Sequence, residues 1–189
     1  MNRYDKTTKI QKFKLLLKTL AAAFGFLSVL VAPTFYSPKA AADAINNTDF
    51  VFTVDTRKPG SPNTQFVIPT SGSGYNYTVD YNNDGVTEVS GQTASYTFNY
   101  ATPGIYTIRI GGVFPWFIVN GSGDKMKLLS VDQWGTNKWK NMRSAFAGAE
   151  NMDVKATDTP DLSQTTDLSW MFVGNKSLKG EGTNWNWNT

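Results

Sequence analysis

One phrase occurs twice in this chain, and that repetition limits the possible folds more than any other feature. The first copy runs Met142-Arg143-Ser144-Ala145-Phe146-Ala147-Gly148-Ala149-Glu150-Asn151-Met152. The second runs Leu168-Ser169-Trp170-Met171-Phe172-Val173-Gly174-Asn175-Lys176-Ser177-Leu178. Met142 matches Leu168, Phe146 matches Phe172, Gly148 matches Gly174 and Met152 matches Leu178, each pair 26 residues apart. A period of about 20–50 residues marks units that cannot bury an apolar face alone and stack on their neighbours. Met142, Ala145 and Phe146 fall at i, i+3 and i+4, as do Leu168, Met171 and Phe172, which predicts a short helix in each copy. Gly148 and Gly174 stand where each helix would end in a left-handed residue. A short strand follows, Met152-Asp153-Val154 in the first copy and Leu178 onward in the second. The sequence stops before a third unit completes, so residues 123–189 read as two 26-residue units of an incomplete array.

Ahead of the repeats the period changes to two. Phe50, Phe52 and Val54 alternate with Val51, Thr53 and Asp55, and Tyr75, Tyr77, Val79 and Tyr81 alternate with polar residues. Tyr96-Phe98-Tyr100 and Tyr106-Ile108-Ile110 behave alike, Phe66-Val67-Ile68 is a shorter run, and Phe114 to Val119 is apolar around Pro115. Such alternation marks strands with one buried face. Turn residues separate them at Lys58-Pro59-Gly60, Ser71-Gly72-Ser73-Gly74, Asn82-Asn83-Asp84-Gly85 and Thr102-Pro103-Gly104. Short strands at this spacing predict an antiparallel sandwich over residues 49–122.

The first 42 residues differ again. A basic start precedes a 13-residue apolar run, Leu20 to Ala32, which is shorter than a bilayer span requires. Ala40-Ala41-Ala42 then supplies small residues, completing the pattern of a secretory signal peptide cleaved after Ala42 or Ala44. Residues 43–48 are expected to form a flexible tail. Seven of the 18 basic residues but one of the 15 acidic residues lie before residue 43. The remaining 11 and 14 leave a net charge of −3, so the basic balance of the whole chain is no sign of nucleic-acid binding. Membrane contact is expected only through the signal peptide during export.

The chain has no Cys and no His, which excludes disulfides, thiolate chemistry and a Ser-His-Asp arrangement. Asp158, Asp161 and Asp167 suit turns and helix starts better than paired catalytic carboxylates. No catalysis is expected. Asp80-x-Asn82-x-Asp84-Gly85 places oxygen side chains at loop positions 1, 3 and 5 with Gly at 6, and Glu88 at position 9. That pattern makes Asp80, Asn82 and Asp84 candidate calcium ligands, although Gly91 occupies the position of the bidentate Glu and a plain turn explains the residues as well. No other cofactor is implied. Among the tryptophans, Trp139 and Trp170 read as core, whereas Trp185 and Trp187 alternate and are the candidate ligand contacts.

Two resemblances add to this reading. Ala145-Phe146-Ala147-Gly148-Ala149-Glu150-Asn151-Met152-Asp153-Val154 resembles the leucine-rich repeat of BspA-type bacterial surface proteins, and Leu168-Ser169-Trp170-Met171-Phe172 with Trp185-Asn186-Trp187-Asn188 resembles its Met-Phe and Trp-Asn variant. Met or Ala stands where that family often has Leu or Cys. Val79-Asp80-Tyr81-Asn82-Asn83-Asp84-Gly85, followed by Tyr96 to Ile110 with Pro103-Gly104-Ile105-Tyr106, is similar to the PKD-type immunoglobulin-like module. Together they imply a mainly β chain with short helices, an immunoglobulin-like β-sandwich leading into a leucine-rich-repeat solenoid. The resemblance further implies a secreted or cell-surface adhesion protein whose partner is a host or neighbouring-cell surface protein or glycan. A carbohydrate-binding accessory module of a polysaccharide-degrading system, or a structural spacer, is the alternative.

Overall fold

The computed structural model describes residues 47–180. The expected signal peptide (1–42), residues 43–46 of the expected tail, and Trp185 and Trp187 lie outside the described residues. Of that tail, Thr48 is tied down, its carbonyl accepting the Thr136 amide at 3.0 Å.

The chain is mainly β. Eight strands form in order: β1 (Phe50–Asp55), β2 (Gln65–Ile68), β3 (Asn76–Asp80), β4 (Val89–Gln92), β5 (Tyr96–Asn99), β6 (Ile105–Val113), β7 (Leu128–Gln133) and β8 (Asp153–Val154). A six-stranded sheet runs β4-β3-β6-β1-β7-β8, and a two-stranded sheet pairs β2 with β5. Neighbours are antiparallel except β7 and β8. Alternation sets the faces. Phe50, Phe52 and Val54 of β1 lie opposite Ile110, Ile108 and Tyr106 of β6 and point inward. Val51 and Thr53 lie opposite Arg109 and Thr107 on the other face. Phe66, Ile68 and Phe98 bring the smaller sheet into the same hydrophobic cluster.

That cluster does not stop at residue 122, where the sequence suggested a boundary. β7 lies in the repeat segment yet pairs along β1, and the Phe50 ring meets Phe117, Trp134 and Trp139 at 5.7, 6.1 and 5.0 Å. The described residues group as one unit. Each half covers the other's apolar side chains.

The two copies of the repeated phrase stack, but not as helices. The amides of Met142, Ser144, Phe146 and Gly148 donate to the carbonyls of Asp167, Ser169, Met171 and Val173. Between them the amides of Ala145, Ala147 and Ala149 close overlapping turns on Met142, Ser144 and Phe146. Every second amide therefore points sideways into the next copy, where a helix would direct it along its own axis. Ser144 (φ 50°) and Trp170 (φ 57°), at the same position of the two copies, interrupt any right-handed helix. The expected helices are corrected to these runs of turns, and the only helical segment among the described residues is one 3-10 turn, Lys125–Lys127. The burial behind the helical pattern is nonetheless present: Met142, Ala145 and Phe146 are fully buried.

Residues 114–119 are likewise not a strand. They join the stack from the other side, with the Val119 and Gly121 amides donating to Ala145 and Ala147. Phe117, Phe146 and Phe172 then form a ring ladder with centroids 5.3 and 5.6 Å apart. Gly148 and Gly174 adopt φ of 73° and 75°, and a Cβ on Gly174 would lie 3.5 Å from the Gly148 Cα. Glycine at this position supplies the left-handed conformation, while a methyl group there would meet the next layer at ordinary contact distance.

Candidate functional site

The loop after β3 brings the candidate calcium ligands together only in part. Asp80 is buried, and its carboxylate accepts the amides of Asn82 and Asp84 (both 3.3 Å) and of Gly85 (3.0 Å). The side-chain oxygen of Asn82 accepts the Asp84 amide, and Asp84 accepts the Val86 amide. These oxygens satisfy the turn's own backbone, as Asx residues in tight turns do. One carboxylate oxygen each from Asp80, Asp84 and Glu88, the residue at loop position 9, lies within 4.8 Å of the others. One oxygen from each would supply three of the six to eight that calcium takes.

Glu88 also accepts the Tyr81 amide at 3.1 Å. Burial, with the negative charges of Asp80 and Asp84, holds its pKa above the usual 4.5. Its ionised form therefore opposes folding above the raised pKa, and the cost is relieved as pH falls toward the ordinary value. Glu88→Gln is expected to raise thermal stability at pH 7 in the presence of a chelator, with the gain vanishing near pH 4. Solvent screening at this exposed side chain keeps the gain near ~0.5 kcal/mol. A thermal melt of both proteins checks this, and a loop stabilised by added calcium would reverse their order.

The three aspartates of the repeat segment are structural brackets. Both Asp158 oxygens accept the Trp134 amide at 3.0 Å, and one also accepts that of Gly135 at 2.8 Å. Asp161 takes the hydroxyl and amide of Ser163, and Asp167 takes the Ser169 amide, which keeps both carboxyls below their usual range.

Trp139 is fully buried, as expected, but Trp170 is not: it is 65 % exposed. It shares its left-handed backbone with the buried Ser144 of the first copy, and the Arg143 guanidinium sits 5.5 Å from its ring centroid. Arg143 is held in turn by Asp167 at 3.9 Å, and its carbonyl accepts the Trp116 indole N–H at 3.2 Å. Trp116, Arg143 and Trp170 thus join three successive layers of the stack on one surface, with Leu168 and Val173 of the last layer also exposed. Sequence reasoning placed Trp170 in the core because its register matched buried positions. Its alignment with Ser144, which is itself buried, gave no signal to the contrary.

The outer face of the six-stranded sheet carries a groove of about 680 Å³. No motif announced it, because its residues are the polar half of the strand alternation.

Among family models, curated proteins and solved structures, none matches the chain. Among the described residues, no helix is long and apolar enough to cross a membrane.

Proposed function

We propose that this chain is an exported binding protein acting at the cell surface or outside the cell, with no catalysis of its own. In this reading residues 49–122 are a PKD-like, immunoglobulin-like module and the stacked turns begin a leucine-rich-repeat solenoid. Two details support the assignment. The Tyr106 hydroxyl donates to the Thr102 carbonyl at 2.6 Å, four residues upstream, the backbone link of a tyrosine corner. The stacked copies repeat φ, hydrogen bonding and ring positions at a fixed offset, as repeat layers do.

The observation that carries the function is Trp170. A large aromatic ring exposed on a regular scaffold, and fixed there by a cation and its carboxylate partner, is costly to present to water and suited to anchoring a partner. The partner is a protein or glycan on a host or neighbouring cell. The purified chain is tested against an array of extracellular matrix proteins and surface glycans. Binding is expected, and Trp170→Ala should weaken it about thirtyfold or more, the ~2 kcal/mol of an interface anchor, while leaving the melting curve intact. Equal binding by the variant, or no binding by the folded protein, would overturn this reading.

A further inference from the structure

We propose that the groove on the outer face of the six-stranded sheet binds an acidic oligosaccharide. The site is separate from Trp170 and deepens the surface-binding reading, on which it rests. Its floor comes from three neighbouring strands. Val51 and Ile105 give apolar surface from β1 and β6, and Leu129 gives more from β7. Thr53 and Thr107 face each other at 3.1 Å, and Thr53 donates to Asp132 at 2.6 Å. This alternation of apolar floor with hydroxyl and carboxylate suits a sugar, whose C–H faces lie on aliphatic side chains while its hydroxyls pair with fixed polar groups.

Charge narrows the class. Arg109 stands on β6, ion-paired with Asp49 and hydrogen-bonded to Asn83, both at 3.3 Å, so its charge is already partly offset and Lys155 supplies most of the exposed positive charge. Lys155 stands just past β8, exposed, its backbone amide anchored on Val131. In the order β6-β1-β7-β8 these cations are three strand spacings apart, about 14 Å at the usual inter-strand distance. That span suits separated negative groups along a chain rather than one small anion. Asp132 lies between the cations on β7, so the centre of the groove repels a densely charged polymer and accepts hydroxyls instead. Carboxylates spaced by neutral sugar surface fit this order of charges.

A peptide fits less well. β6, β1 and β7 are interior strands with neighbours on both sides, so the groove has no open strand edge for backbone pairing. The volume falls in the small-ligand range of about 300–1,000 Å³. Past Asp132 and Gln133 the face continues into a recess of about 290 Å³ beside Thr157 and Asp158, which gives a chain room to extend.

The test is calorimetric titration of the full chain with a hyaluronan tetrasaccharide, in which neutral N-acetylhexosamines separate the uronates, with the neutral chitin tetrasaccharide and with a polyphosphate of similar length. The uronate is expected to bind in a salt-sensitive way and at least tenfold more tightly than the other two. Ile105→Glu and Lys155→Glu alter exposed side chains, so both variants should fold, which melting curves verify, and each should weaken the uronate at least tenfold. Trp170→Ala should leave uronate affinity unchanged. No uronate binding at millimolar concentration, equal binding of the neutral sugar or the polyphosphate, or folded groove variants with unaltered affinity would overturn the proposal. Loss of array binding in Trp170→Ala alone bears on the surface-binding reading and not on the groove.

Discussion

Replacing Lys127 by Met is expected to destabilise the protein by about 3–5 kcal/mol. The side chain is fully buried, and its ammonium donates to the carbonyls of Ser61 (2.8 Å), Pro62 (3.0 Å) and Gln65 (2.7 Å) and to the Ser61 hydroxyl (2.9 Å). Asp124, equally buried and 3.8 Å away, accepts the amides of Ser61 and Val67 and the same hydroxyl. The pair fastens the loop between β1 and β2 to the start of the repeat segment. Burial pushes the Lys127 pKa below 10.5 despite the opposing charge of Asp124, so the charged amine is held by its hydrogen bonds against a desolvation cost. That cost is present below the lowered pKa and is relieved as pH rises toward 10.5. Methionine fills the volume and removes every donor, leaving a buried carboxylate without its cation and stripping a donor from each loop carbonyl. The urea midpoint should fall with little change in slope, and the melting temperature by ~10 °C or more. Adding Asp124→Asn to Lys127→Met should cost less than the two single changes summed, because the orphaned charge is then gone. A Met variant within ~1 kcal/mol of wild type would show that the cluster contributes specificity but little stability.

Lys127 also shows where the sequence was hard to read. Lysine is almost never fully buried, and nothing local marks this one, since its acceptors lie more than 60 residues away. The alternating segments were legible because sheet burial follows a period of two, and β1, β3, β5 and β6 lie where Phe50-Phe52-Val54 and its counterparts predicted. β4, Val-Ser-Gly-Gln, carries no apolar alternation and was missed. The repeat was legible as a period, but its local backbone was not. The spacing of Met142, Ala145 and Phe146 reports which side chains face the core, and successive turns satisfy it as well as a helix does. The left-handed Ser144 and Trp170, which decide between the two, belong to residue types that seldom adopt that conformation. The acidic loop was legible as a turn, and Glu88 at its ninth position comes beside Asp80 and Asp84 as β4 returns along β3.

A chain ending at residue 122 is expected not to fold, although the sequence alone suggested a self-sufficient sandwich there. Ending at 122 removes β7, which pairs with β1 from Val51 to Val54 and places Leu128 and Val131 against the core. It also removes Trp134, Trp139 and Phe146, three large and almost completely buried side chains of the same cluster. Each is worth about 3–5 kcal/mol on truncation to Ala, so their joint loss matches or exceeds the whole stability of an ordinary domain, ~5–15 kcal/mol. Of its four ring neighbours Phe50 would keep Phe52 and Phe117 and lose Trp134 and Trp139, and β1 would become an edge strand with an exposed apolar face. Asp124 and Lys127 would be absent, freeing the loop at Ser61. The expected result is a shortened protein with no cooperative thermal transition and strong binding of a hydrophobic dye, beside a full chain that melts in one step. A shortened chain that melts cooperatively would show that β1–β6 carry their own core and that the packing across residue 122 joins two independent units. If instead the shortened chain fails to fold, mapping function by cutting the chain is unsound, and point substitutions at Trp170, Ile105 and Lys155 are the changes that separate one surface from another while the shared core stays whole.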